Sequence, residues 1–382
     1  MRKLLAYCIL SGSGALMLRG EPTPLDQALP EEKEITIACE LTTVEPKANV
    51  PVFDSANDSE AARGSYHYKL WLPKGYLADP QRRWPCWFIM SPSGNAGMGA
   101  MGARLKSAGY VVVMPQEAKN GPWVPIVGSL LATHDDVVKR VRIQEGLKFA
   151  TGFSGGARMS ALLAEMRPGF SGLYLQGAGL PPKGNGYHTA GLTKIPGLAV
   201  AIAVGAKDSN LREVKAVQAA LPGARFLPLS FDGGHAWAPA ESFDKALPWI
   251  EQQVYAEAPA RPEMKPVYAG YFKQRHAEWT ALAVPWERYR TGDAVLTLAR
   301  TRGLTTDAAL APAMREIQTE VTRLRSDPAI GKEALAADAW RRLEEGHRGA
   351  TRERIASDVR DFVKHYPGTE AAKKAEAKAA AP

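Results

Sequence analysis

The sequence predicts an α/β protein: a mostly parallel sheet with helices on both faces, followed by a helical C-terminal appendage. Three observations carry this. Short apolar runs alternate with helical patterns between residues 34 and 254. The pentad Gly152-Phe153-Ser154-Gly155-Gly156 falls between one such run and a helix. Beyond Ala258 the strand-like runs stop, and the chain becomes rich in Ala, Arg and Glu at helical spacing.

The elements follow in order. Arg2 and Lys3, the apolar run 4–10 and Ser13-Gly14-Ala15 fit a secretory signal peptide over 1–20, hence a secreted or periplasmic protein. The same residues also fit the apolar first segment of a cytoplasmic chain. The stretch is too short and too broken by Gly and Ser to span a membrane. Residues 21–32 read as a Pro-rich linker. Strands are expected at 34–43 and 65–72, where Tyr66, Tyr68, Leu70 and Leu72 alternate with Ser65, His67, Lys69 and Trp71. Further strands are expected at 87–90, 110–114, 148–152, 172–175, 198–204 and 225–229. Helices are expected at 98–108, 135–147, 155–167, 209–221 and 241–254. These elements make 21–258 one α/β domain. Helices around Trp279 and Trp286, then at 308–324, 330–345 and 351–365, make a C-terminal region over 259–369. This region suits docking to a protein partner. Residues 370–382, rich in Ala and Lys, read as a flexible tail.

With 48 Lys and Arg against 40 Asp and Glu, the net charge is +8. The basic residues are spread along the chain without a block, which argues against a nucleic-acid partner. Of the three cysteines, Cys8 lies in the leader, and Cys39 and Cys86 lie in strand-like runs that bury free thiols. There is no Cys-x-x-Cys and no His/Cys cluster, so no metal site is expected.

The pentad fits G-x-S-x-G. A Ser on a tight strand–turn–helix corner needs small neighbours so that strand and helix can approach. Gly152 and Gly155 meet that need, and Gly156 adds room for the helix. The Ser154 hydroxyl then stands above the strand ends, where the Gly155 N–H can face a developing oxyanion. A serine nucleophile needs a base and an orienting acid. His235, in Asp232-Gly233-Gly234-His235-Ala236-Trp237 after the last strand, is the base that chain order selects. Asp208, just past the 198–204 strand, completes the order Ser, Asp, His. Asp232 is its rival. A backbone N–H of Ser93 or Gly94, after the 87–90 strand, is expected as the second oxyanion donor. Gly97-Met98-Gly99-Ala100-Met101-Gly102 spells G-x-G-x-x-G, but residues 91–96 separate it from the strand that a dinucleotide site requires. Those glycines are read instead as helix–sheet packing positions.

The pentad, Asp208 after Val204-Gly205-Ala206-Lys207, and Gly233-Gly234-His235-Ala236-Trp237 together resemble the α/β-hydrolase superfamily over about residues 66–254. More narrowly they resemble secreted bacterial esterases of the poly(3-hydroxybutyrate) depolymerase and feruloyl esterase group. The resemblance implies a serine esterase with nucleophile Ser154, acid Asp208 and base His235, no cofactor, and a small or polymeric ester as substrate. It also implies a substrate pocket lined by Phe153, Trp123 and Trp237. The usual His is missing from the oxyanion loop, where Ser91 stands. Two rivals remain open: a serine peptidase of prolyl-oligopeptidase type, and a non-catalytic binding protein on a hydrolase scaffold.

Overall fold

The computed structural model describes residues 9–11, 15–17, 29–42, 50–347 and 351–380. The leader expected over 1–20, with Cys8, lies outside the described residues except for a short antiparallel pair, Ile9–Ser11 with Ala15–Met17. Most of the expected 21–32 linker lies outside them too.

Eight strands form one sheet: β1 Glu34–Leu41, β2 Gly64–Trp71, β3 Trp84–Met90, β4 Val111–Pro115, β5 Ile143–Phe153, β6 Phe170–Gln176, β7 Ala199–Gly205 and β8 Arg225–Phe231. Their spatial order is β8-β7-β6-β5-β3-β4-β2-β1. From β3 to β8 every neighbouring pair is parallel; β1 and β2 run antiparallel at one edge. Helices α1 Ala56–Ala61, α2 Gly102–Ser107, α3 Trp123–Arg140, α4 Gly155–Met166, α5 Glu213–Ala220 and α6 Ala240–Glu251 join and cover the strands. This is the α/β-hydrolase fold. All seven residues of β7 are buried, as a parallel strand covered on both faces demands. Burial in β1 alternates instead, as in a strand with one wetter face. No helix among the described residues is long and apolar enough to cross a membrane.

In the sheet domain the largest departures from expectation are one helix and one strand. The helix expected at 135–147 runs over Trp123–Arg140, and β5 begins at Ile143 rather than 148. Ile126, Val127, Leu130, Leu131, His134 and Val137 are all buried in α3, so its apolar face begins far earlier than the two aspartates suggest. The helix stops because Ile143 is taken by the sheet, paired with Trp84. Gly97 and Gly99 have open space where a side chain would stand, and Gly102 abuts only Met98. The G-x-G-x-x-G glycines therefore do not serve helix–sheet packing; Gly99, at φ +50°, opens the single turn Gly99–Met101 before α2. Cys39 and Cys86 are buried free thiols, and burial pushes the Cys39 thiol up to about 12.

A buried polar group lies in this sheet. Lys148 of β5 is 2% exposed, and its Nζ is 3.0 Å from His134 Nε2. His134 Nδ1 is 2.8 Å from Asp135 Oδ1, and Arg167 donates to both Asp135 oxygens at 2.8 and 2.7 Å. The Lys148 ammonium donates to Nε2, so the imidazole is neutral and protonated on Nδ1. Burial pushes His134 down to about 4 from 6.5, with the Lys148 charge acting in the same direction. Between these values the unfolded histidine binds a proton that the folded one refuses. Stability is therefore expected to fall as pH drops from 6.5 toward 4, by up to about 3 kcal/mol for this group. Urea midpoints at pH 7 and pH 4.5 measure it, and His134→Gln should flatten the difference. An equal difference in both proteins would refute the assignment.

The chain divides into two compact units, Met1–Ala258 and Pro259–Pro382. The second contains α7 Lys265–Thr280, α8 Pro285–Thr301, α9 Ala311–Arg325, α10 Pro328–Gly346, α11 Arg352–His365 and α12 Glu370–Ala380. Gly292 of α8 lies where a side chain would meet Trp279, Ile317 and Val321, so α8 sits tightly against α7 and α9. Asp327 caps α10 by accepting from the N–H groups of Ala329 and Ile330. Where the sequence reads a flexible tail at 370–382, α12 is helical. Its Ala371, Ala372 and Ala375 pack with Trp340, Val359 and Phe362, which gives the alanines burial that composition does not reveal. Within the first unit Trp87 stacks on Phe149 and meets Phe243 edge to face. A chain ended at Ala258 is expected to melt in one cooperative transition; a non-cooperative melt would show that this unit needs the second.

Candidate active site

In a parallel sheet the strand C-termini share one edge, and the loops there meet. Ser154, Asp208 and His235 follow β5, β7 and β8. Ser154 has φ +53° and ψ −120°, a strained conformation for a residue with a side chain. Its N–H is held by the Gln176 carbonyl at 2.8 Å, and α4 starts at the next residue. A side chain on Gly152 would strike Gly156 and the Met90 carbonyl, and one on Gly156 would strike Met90. These two glycines let α4 approach β5 and β3. Gly155 has a different neighbour. A side chain there would collide with Asn120 Oδ1.

His235 Nε2 is 2.9 Å from Ser154 Oγ, and His235 Nδ1 is 2.9 Å from Asp208 Oδ2. The Asp208 side chain is fully buried, whereas that of His235 is 41% exposed. Asp208 Oδ1 accepts from the Asn210 N–H at 2.9 Å, and Asn210 Nδ2 donates to the Gly177 carbonyl at 2.8 Å. The carboxylate is thus fixed at both oxygens. Asp232, the rival acid, is 92% exposed and lies 3.5 Å from Lys207 Nζ. A side chain on Gly205 would collide with the carbonyls of Gly233 and Gly234, so the loop bearing His235 crosses directly over the end of β7. The Lys207 N–H donates to the Gly233 carbonyl at 2.8 Å, tying the acid and histidine loops together.

Gln176 was not legible in the sequence. It is 1% exposed, accepts from the Ala238 N–H at 3.2 Å, and donates from Nε2 to Thr151 Oγ1 at 3.1 Å. It anchors the far side of the histidine loop to β5. A polar residue closing the run 172–175 was its only signal.

Phe153 packs at a tilt against both His235 and Trp237, with ring centroids 4.7 and 5.4 Å apart. Trp237 is 41% exposed, so this aromatic surface faces solvent next to Ser154. Trp123, the third expected lining residue, opens α3 and packs, half-buried, against the hydrophobic core. The expected oxyanion loop follows β3. Its Ser93 N–H donates to Ser91 Oγ at 3.3 Å, and its Gly94 N–H to the Ser91 carbonyl at 3.2 Å. The Gly155 N–H, at the first position of α4, has no acceptor among the described residues. Of the other histidines, His67 pairs with Glu117, His276 with Glu316 and His347 with Asp358.

No family model matches the chain, and no curated protein matches it. Solved structures similar to it include a ferulic acid esterase, at 13% identity, covering 58% of this chain and 99% of that one, with a TM-score of 0.39. Est1E from Butyrivibrio proteoclasticus is 14% identical, covering 50% of this chain and 95% of that one, with a TM-score of 0.39. Acetyl xylan esterase 1 from Thermoanaerobacterium sp. JW/SL YS485 is 15% identical, covering 50% of this chain and 79% of that one, with a TM-score of 0.38.

Proposed function

We propose that this protein is a serine hydrolase of carboxylic esters, with Ser154 as nucleophile, His235 as base and Asp208 as orienting acid. The observation that carries this is the unbroken hydrogen-bonded line from buried Asp208 through His235 to Ser154 Oγ, with 2.9 Å at each step. His235 Nε2 takes the Ser154 proton as Oγ bonds to the ester carbonyl carbon. The carbonyl π electrons move onto oxygen, where the Gly155 N–H and the positive end of α4 meet the new charge. Collapse of this intermediate breaks the ester C–O bond, and the departing alcohol takes the proton back from His235. Water then attacks the acyl-enzyme with His235 again as base, and Ser154 regains its proton. Asp208 accepts from Nδ1–H throughout, which keeps Nε2 free to accept and stabilises the imidazolium.

The exposed ring of Trp237 and the half-exposed His235 support a shallow, open site, in keeping with bulky or polymeric esters. The pattern over 1–20 supports export, and detergent-free fractionation of a tagged full chain tests it. A fluorophosphonate probe tests the chemistry. Labelling of Ser154, with turnover of a p-nitrophenyl ester and none of a dipeptide anilide, is the expected result. Labelling with anilide turnover alone would make the protein a peptidase, and absence of labelling would make it a binding protein.

A further inference from the structure

Tetrahedral intermediates of acyl transfer are held by at least two donors, and only one of the expected donors is free here. The N–H groups of Ser93 and Gly94 both donate within their own loop, to Ser91. The Gly155 N–H remains. Beside it stands a group that the sequence did not single out. The loop after β4 is tied to the loop after β3 by several contacts, among them a hydrogen bond from Gln116 Nε2 to the Ala96 carbonyl at 3.1 Å. Lys119 bridges to Ser93, the Asn120 N–H donates to the Pro92 carbonyl at 2.8 Å, and the Asn95 N–H donates to the Gln116 carbonyl at 2.8 Å. This ladder holds the Asn120 backbone and leaves its side chain lying on Gly155.

Two features mark that side chain as more than packing. It is exposed, and its amide makes no hydrogen bond to any described residue, so it holds nothing in the fold together. Gly155, unlike Gly152 and Gly156, has no backbone neighbour that excludes a side chain; the atoms in the way belong to Asn120 alone. Its backbone φ is not positive, so conformation does not require glycine either. A glycine here makes room for Asn120.

We propose that the Asn120 side-chain amide is the second donor to the oxyanion formed on Ser154, working with the Gly155 N–H. Oδ1 faces Gly155 in the free protein, where a negative atom suits the first turn of α4. A half-turn about the last side-chain bond exchanges Oδ1 and Nδ2 with little change of shape. As charge develops on the carbonyl oxygen, the amide turns Nδ2–H toward it. The inference rests on the ester-hydrolase reading and adds a residue to it.

The test uses the full chain with p-nitrophenyl acetate. Removing one oxyanion donor costs roughly 10²–10³-fold in kcat. Asn120→Ala is expected to lower kcat and kcat/KM together by that amount with KM within about threefold, because the contact exists only in the transition state. Asn120→Asp should be at least as poor, since a carboxylate repels the oxyanion. The near-ultraviolet circular dichroism and melting temperature should be unchanged, because the side chain is exposed and unbonded. Gly155→Ala should impair the parent protein and add little in the Asn120→Ala background, because the clash partner is gone. Asn120→Ala activity within about threefold of the parent, or fully additive losses from Asn120→Ala and Gly155→Ala, would overturn the proposal while leaving the hydrolase reading intact. A parent protein that neither turns over the ester nor labels at Ser154 would overturn both.

Discussion

Ser154→Ala is expected to lower ester turnover by roughly 10⁴-fold or more, with the fold intact. The nucleophile is lost outright, and His235 has no proton to accept. The size of the loss follows from the covalent route: without Oγ, water must attack the ester directly in one harder step. The fold should survive because the corner is held by backbone. The Ser154 N–H is bonded to the Gln176 carbonyl, and the Ser154 carbonyl accepts from Ala157. Alanine pays the same cost for φ +53° as serine does. Steady-state turnover of a p-nitrophenyl ester, with circular dichroism on the same sample, checks it. Near-parental activity in a purified, folded Ser154→Ala protein would end the serine-hydrolase reading.

Asp208→Asn is expected to cost on the order of 10⁴-fold in kcat, and Asp232→Asn little. An asparagine at 208 keeps the shape but can present N–H to His235, which favours the tautomer with the proton on Nε2. Nε2 then cannot accept from Ser154 Oγ. The environment magnifies the effect, since the Asp208 side chain is fully buried and its charge is unscreened by water. Asp232 is 92% exposed and pairs with an exposed lysine, an interaction of small value. Kinetics of the two purified variants decide the matter, and a larger loss for Asp232→Asn would reassign the acid.

The sequence by itself determined the parallel sheet, because strands buried on both faces must be continuously apolar, as at 198–204 and 110–114. It also determined the serine corner, because only glycines tolerate the approach of α4 to β5, and the order of Ser154, Asp208 and His235 along the chain. These are local demands, written in neighbouring residues. Tertiary structure decided what depends on distant segments meeting. Asp208 and Asp232 are both acids near strand ends, and only the packing of one loop over β7 buries the first and leaves the second in water. The start of α3 was hidden because its first turns are apolar and carry no polar residue to mark an end. Order in α12 depends on alanines that composition reads as solvated and that Trp340 and Phe362 bury. Gly155 reads as one more packing glycine until Asn120, from a loop 35 positions earlier in the chain, is seen resting against it. A contact between side chains on separate loops leaves no period and no motif, since neither residue's own neighbours record it.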